Sequence, residues 1–278
     1  MLLSFTTPVA ARDLLRIVCL ASFMVLFLPA AKAQQRVAAA LTFTRAEIEQ
    51  MLSKASIGNE RDLASGAVHI SLDDGTRKHG AAVWTPDRDR EPGGNVYLNV
   101  AAYELDKALQ LNMVAPAVER MVKGQRAVVQ WWLDNIAMME MDRIRKNILP
   151  PDPESWNQQM QAARLFDELI SNAWRPGIGW DSLLVTRDWK IYLVDHRRVF
   201  RTNTQLELPE TLTQCDRTLL ANLRALNKKA LKRTLGKYLS SYQLDALESR
   251  RKLLVKHFTQ LIATKGESAV LYDLPARP

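Results

Sequence analysis

Thiols are almost missing from this sequence. Its 278 residues hold two cysteines, Cys19 and Cys215, too few for a disulfide framework or a cysteine-built zinc site. Histidine is nearly as scarce: His69, His79, His196 and His257 stand without metal-ligand spacing to cysteines or paired acids, and each reads as a surface or hydrogen-bonded residue. No phosphate-binding P-loop is present, and no serine nucleophile elbow. The longest apolar stretch, Ile17 to Pro29, falls short of the roughly 20 residues that span a bilayer. Basic residues outnumber acidic ones, 38 to 30, yet no aromatic ladder is interleaved with them, which makes nucleic acid an unlikely partner.

What is present begins with a targeting pattern. Arg12 and Arg16 precede the apolar stretch, which is followed by Ala31-Lys32-Ala33. That order reads as an export signal cleaved after Ala33, placing the rest of the chain outside the cytoplasm, whether the signal is cleaved or kept as an anchor. Residues 34–278 are long enough to bury a sizeable core. They contain only Cys215, so packing rather than an intrachain disulfide must hold them together in an oxidising compartment.

Along this part, Thr44 and Glu47 make a capping box for a short helix ending near Lys54. The alternation in Ala67-Val68-His69-Ile70-Ser71-Leu72 predicts a strand, and Asp74-Gly75 predicts the hairpin turn to a second strand at 81–85. The stretch from Pro86 to Gly94 is rich in charge, proline and glycine and reads as an exposed connection. Leu98, Ala101, Ala102, Leu105 and Leu109 recur at helical spacing and predict an amphipathic helix over 96–110. Strands are expected at 114–122 and 126–133, with Trp131-Trp132 as core aromatics. Beyond the break at Pro150-Pro151-Asp152-Pro153, a helix is expected over 156–173, then a strand at 183–186. The next is the segment Asp188-Trp189-Lys190-Ile191-Tyr192-Leu193-Val194-Asp195, a short apolar strand that ends on a carboxylate. Seen alone, Asp195 reads as a strand-end turn residue. The remainder is mostly helical to about His257, and it carries a basic concentration from Arg224 to Lys237 and Arg250 to Lys256. That concentration is a solvated helix surface in the simplest reading, with contact to an anionic surface as the alternative.

The ordered set of motifs carries a resemblance. It comprises Ala101-Ala102-Tyr103-Glu104-Leu105-Asp106, then Leu111-Asn112-Met113-Val114-Ala115-Pro116, then Leu165-Phe166-Asp167-Glu168-Leu169-Ile170-Ser171-Asn172, and Leu193-Val194-Asp195-His196-Arg197-Arg198-Val199-Phe200-Arg201. Together, over roughly Ala67 to Arg201, they resemble the protein-kinase-like superfamily, in particular a bacterial atypical branch with the HipA-type, phosphatidylinositol and secretory-pathway kinases. The resemblance implies an α+β, two-lobed fold. The divisions expected are a signal segment at 1–33, a helical extension at 34–66, a small sheet-plus-helix lobe at 67–135 and a mainly helical lobe at 136–278.

Phosphoryl transfer asks for a lysine on the nucleotide phosphates, an acid to position it, a carboxylate for the acceptor hydroxyl and oxygen ligands for magnesium. By the resemblance, Trp84 stands at the lysine position, Asn99 at the helix-acid position and Trp174 at the acceptor-facing acid. Asp195 matches the magnesium-binding aspartate. Asp181 and Ser182 are the two alignments open for the second metal ligand, Asp181 is the substitute base if the chain is active, and Arg175 and Arg197 are candidate phosphate binders, with His196 beside them. The resemblance thus implies a pseudokinase whose cleft is partly filled by Trp84 and Trp174 and which binds a protein partner or small ligand. The first alternative is a divergent phosphotransferase using ATP and magnesium. The second is a structural exported domain that displays its basic helices.

Overall fold

A computed structural model describes residues 43–89, 93–173, 175 and 182–277. The chain divides after Thr44, and the elements below belong to the unit that starts at Arg45. The expected signal segment, Trp174 and Asp181 lie outside the described residues.

The first half is a five-stranded antiparallel sheet with two helices. Helix α1 (Arg45–Lys54) leads into β1 (Ser56–Asp62), β2 (Val68–Asp73) and β3 (Lys78–Trp84). Helix α2 (Leu98–Leu109) precedes β4 (Ala117–Val122) and β5 (Gln125–Trp131). The strand order is β1-β2-β3-β5-β4. The β2–β3 hairpin forms where Asp74-Gly75 predicts it: Gly75 takes a φ of 89°, and Asp74 Oδ1 accepts the backbone N–H groups of Thr76 and Arg77.

The second half is mostly helical around a small three-stranded sheet, β6 (Ile136–Met139), β7 (Leu183–Thr186) and β8 (Ile191–Leu193). Helix α3 (Glu140–Arg145) follows β6, and α4 (Pro153–Ile170) forms the spine of this half. Asp152 caps α4, accepting from Glu154 N and Ser155 N, and Pro153 sits where its missing N–H costs nothing. A two-residue strand β9 (Cys215–Asp216) leads to α5 (Arg217–Ala225), α6 (Lys228–Leu235) and α7 (Ser241–Lys265). The chain ends through α8 (Glu267–Val270) and β10 (Leu271–Tyr272), which pairs with β9 in parallel. Among the described residues no helix is long and apolar enough to cross a membrane. The class is α+β: strands, one central helix, a hairpin and then a mostly helical half follow one another along the chain.

Three local expectations are corrected. Ser56–Asp62 is an edge strand inside the segment read as helical; its sequence is polar, with little on either face to bury, so no alternation reveals it. Ile136–Met139 is a strand where helix was expected. The connection after Trp84 is not wholly exposed, because the Asp89 side chain within it is buried.

One long-range junction fixes the end of β8. Asp106 of α2 is buried, and its Oδ1 accepts Met113 N at 2.8 Å and Val114 N at 3.1 Å. Val114 then bridges Leu193, and Leu193 N donates to Met113 O at 2.8 Å. The residues after Leu193 are thereby held against both halves of the chain.

Candidate functional site

Asp195 follows β8 with φ 57°, a left-handed conformation that aspartate tolerates better than most residues. The turn aims its carboxylate at Arg197. Arg197 Nε donates to Asp195 Oδ1 at 2.6 Å and Nη2 to Oδ2 at 2.8 Å, a fork-on-carboxylate pairing of the stronger kind. The same guanidinium donates from Nη1 to Asp89 Oδ1 at 2.6 Å and lies 4.3 Å from the Trp84 ring centroid. Its side chain is 2% exposed, that of Asp89 6%, and that of Asp195 39%. Burial works against the charged guanidinium, but the bonds to Asp195 and the charges of Asp195 and Asp89 outweigh it, so its pKa lies above the ordinary value.

Asn99 is buried on α2 and holds the other side of this turn. Its Oδ1 accepts His196 N at 2.8 Å, while its Nδ2 donates to Val96 O at 3.1 Å. A neutral amide suits the place because it both accepts and donates. Asn95 N closes the loop by donating to Arg197 O at 2.9 Å. Trp84, Asn99, Asp195, His196 and Arg197 therefore converge, and the Trp84 ring lies against the guanidinium of Arg197, supplied from the segment after β8.

A second buried charge pair lies behind the turn. Arg175 is 1% exposed and its Nε lies 2.8 Å from Asp167 Oδ2. Its Nη1 donates to Ser182 O at 2.6 Å and to Ser182 Oγ at 2.8 Å. Asn172 Nδ2 also donates to Asp167, at 2.9 Å. Burial raises the Asp167 pKa, against the opposing pull of Arg175 and Asn172. His196 completes the group: its Nε2 lies 3.4 Å from Arg175 Nη2. The arginine can only donate, so Nε2 is the acceptor and the ring proton sits on Nδ1. Burial, and then the charge of Arg175, push the imidazole well below its ordinary pKa, leaving it neutral.

The candidate phosphate binders Arg175 and Arg197 are thus enclosed by carboxylates of the chain itself, and a ligand would reach either only by displacing them. The candidate metal ligands are also engaged, Asp195 through both oxygens by Arg197 and Ser182 Oγ by Arg175. Magnesium nucleotide does not fit these residues as they stand, since a dication at Asp195 would meet a guanidinium already seated there. Asp181, the proposed substitute base, lies outside the described residues. Sequence reasoning missed two members, Asp89 and Asp167. Asp89 sits in a run of alternating charge and gives no signal. Asp167 gives one: it shares the α4 stripe of Met160, Ala163 and Ile170, and an acid on an apolar stripe needs a buried partner.

No protein-family description matches this sequence, and no curated protein matches it either. Among solved structures, 76% of the chain aligns with 98% of the Helicobacter pylori proinflammatory kinase CtkA, at 11% sequence identity and a TM-score of 0.48.

Proposed function

We propose that this chain is an exported kinase-fold protein that has given up phosphoryl transfer and serves as a module binding a partner or a small ligand. One observation carries the reading: Arg197 occupies both oxygens of Asp195, bonds Asp89 and packs on Trp84. A metal-binding aspartate held in this way has exchanged a dication for an internal cation. The uncharged residues Trp84 and Asn99 at the positions for a lysine and its acid support the same reading. Export rests on the Arg12, Arg16 and Ala31-Lys32-Ala33 pattern.

The test is transfer of labelled phosphate from ATP, with magnesium or manganese, to the protein itself and to generic protein and lipid acceptors. The expected result is no incorporation above that of an Asp195→Asn variant. Incorporation that Asp195→Asn abolishes would establish the alternative, a divergent phosphotransferase, which the partial exposure of the Asp195 carboxylate favours.

A further inference from the structure

The excess positive charge of this chain is concentrated in one place. From Arg217 to Leu244 there are seven lysines and arginines and no acid, against a net charge of +8 for all 278 residues. The second basic run, Arg250 to Lys256, is largely spent inside the molecule. Arg250 is buried and donates to the carbonyls of Leu169 at 2.8 Å and Arg201 at 3.1 Å. Arg251 lies 2.7 Å from Glu248, and Lys252 lies 3.5 Å from the same carboxylate. The first run is different, because its cations collect on the outer side of α6.

Leu231 and Leu235 of α6 are buried, whereas Lys228, Lys229, Lys232 and Arg233 are exposed. At 3.6 residues per turn these four cations share an arc of about 140°. The helix is fixed at both ends. Asn227 caps it by accepting Ala230 N at 3.0 Å, and Lys228 Nζ lies 2.5 Å from Asp245 of α7. Just past its last turn, Lys237 Nζ lies 2.7 Å from Glu119 of β4. Between these two bridges, Lys229, Lys232 and Arg233 have no acid at ion-pair distance among the described residues. Tyr242 is 77% exposed and stands one turn before Asp245 on α7, which puts it beside the Lys228 end of the arc.

We propose that the outer face of α6 is a docking surface for an anionic lipid bilayer, with Lys229, Lys232 and Arg233 on the headgroup phosphates and Tyr242 at headgroup level. A rigid helix lying flat presents a broad arc of cations to a plane of charge all at once, and an exposed tyrosine with its hydroxyl suits the interface. Nucleic acid fits this face less well. It is tracked by cations strung along a backbone with stacked aromatics between them, whereas α6 spans about two turns and carries no aromatic residue. With its leucines turned inward, α6 offers the bilayer charge rather than apolar surface, so the attachment is peripheral and reversible and weakens with salt. The assignment stands independently of whether the Asp195 turn takes nucleotide.

Co-sedimentation of the purified full chain with vesicles tests it, using phosphatidylcholine alone and phosphatidylcholine mixed with phosphatidylglycerol. A triple variant, Lys229→Gln with Lys232→Gln and Arg233→Gln, is compared with a control that loses the same charge elsewhere, Lys54→Gln with Lys78→Gln and Lys123→Gln. The apolar stretch from Ile17 to Pro29 is common to all three proteins, so their differences report the substituted charges. The parent should bind the phosphatidylglycerol vesicles at least ten-fold more tightly than phosphatidylcholine alone. The α6 variant should lose at least about ten-fold of that affinity, since each cation near such a surface contributes about five-fold, and the control should stay within about three-fold of the parent. If the triple variant melts below the parent, Lys232→Gln alone carries the test, with a loss of about five-fold. Equal binding of the parent to both vesicles overturns the proposal, as does equal loss in the control, which would make net charge rather than this face responsible. Undiminished binding by a folded α6 variant also overturns it, and so does release of the parent from the vesicles by an equimolar amount of duplex DNA phosphate.

Discussion

His196 shows what a buried neutral group does to the pH response of the fold. Its folded pKa is depressed by burial and by Arg175, whereas in the unfolded chain it titrates near the usual histidine value of about 6.5. The unfolded state therefore gains a proton that the folded state refuses as pH falls. The stability that neutral His196 permits is present above about pH 6.5 and is lost below it, with a limiting slope of about 1.4 kcal/mol per pH unit. Glutamine keeps an acceptor for Arg175 without titrating, so His196→Gln should flatten the decline in urea midpoint between pH 6.5 and 5. An unchanged slope would show that His196 does not contribute to it. Asp106 acts in the opposite direction over a lower range. Burial raises its pKa to about 6 against the two amides that lower it, so its contribution is favourable below about pH 4 and is lost as pH rises through 6.

At the scale of elements, Asp216 joins two pieces of chain. Its Oδ1 accepts Leu219 N at 2.7 Å and caps α5, while its Oδ2 accepts Leu274 N at 2.8 Å and ties down the C-terminal segment. Asp216→Ala should cost about 1–2 kcal/mol through the lost cap and speed amide exchange in both 217–221 and 271–277. Faster exchange in the first stretch alone would separate the two roles. The elements themselves were readable wherever one physical signal dominated. The Asp74-Gly75 turn, the apolar stripe of α2 and the strand into Asp195 all appear where periodicity and turn chemistry put them, while α4 begins three residues before the expected Trp156, because Pro153 serves as its first residue rather than as part of the break. The edge strand Ser56–Asp62 was not readable, because its stability comes from pairing with β2 rather than from an apolar face. The site was legible in part. Sequence order brought Trp84, Asn99 and Asp195 together, but that Asp195 is bonded to a residue two positions on depends on a φ of 57°, which no composition announces. Nor could sequence show that Arg175 faces Asp167 rather than a phosphate, since an arginine after an apolar helix serves either purpose.

For the whole molecule, the α+β arrangement places the end of β8 where α2, the segment after β3 and the C-terminal half of α4 meet. Here the meeting point is filled by two internal charge groups, Arg197 with Asp195 and Asp89, and Arg175 with Asp167. Removing one partner of such buried groups is costly, because the other is left charged and unpaired, so the arrangement resists the opening that a nucleotide would need. The claim that the Asp195 turn is closed by its own arginine is tested most directly by calorimetric titration of magnesium and ATP, together and separately, into the purified protein and its Arg197→Ala variant. The account predicts no magnesium-dependent nucleotide binding at millimolar concentration in the parent. Micromolar, magnesium-dependent binding that Asp195→Asn removes would contradict it.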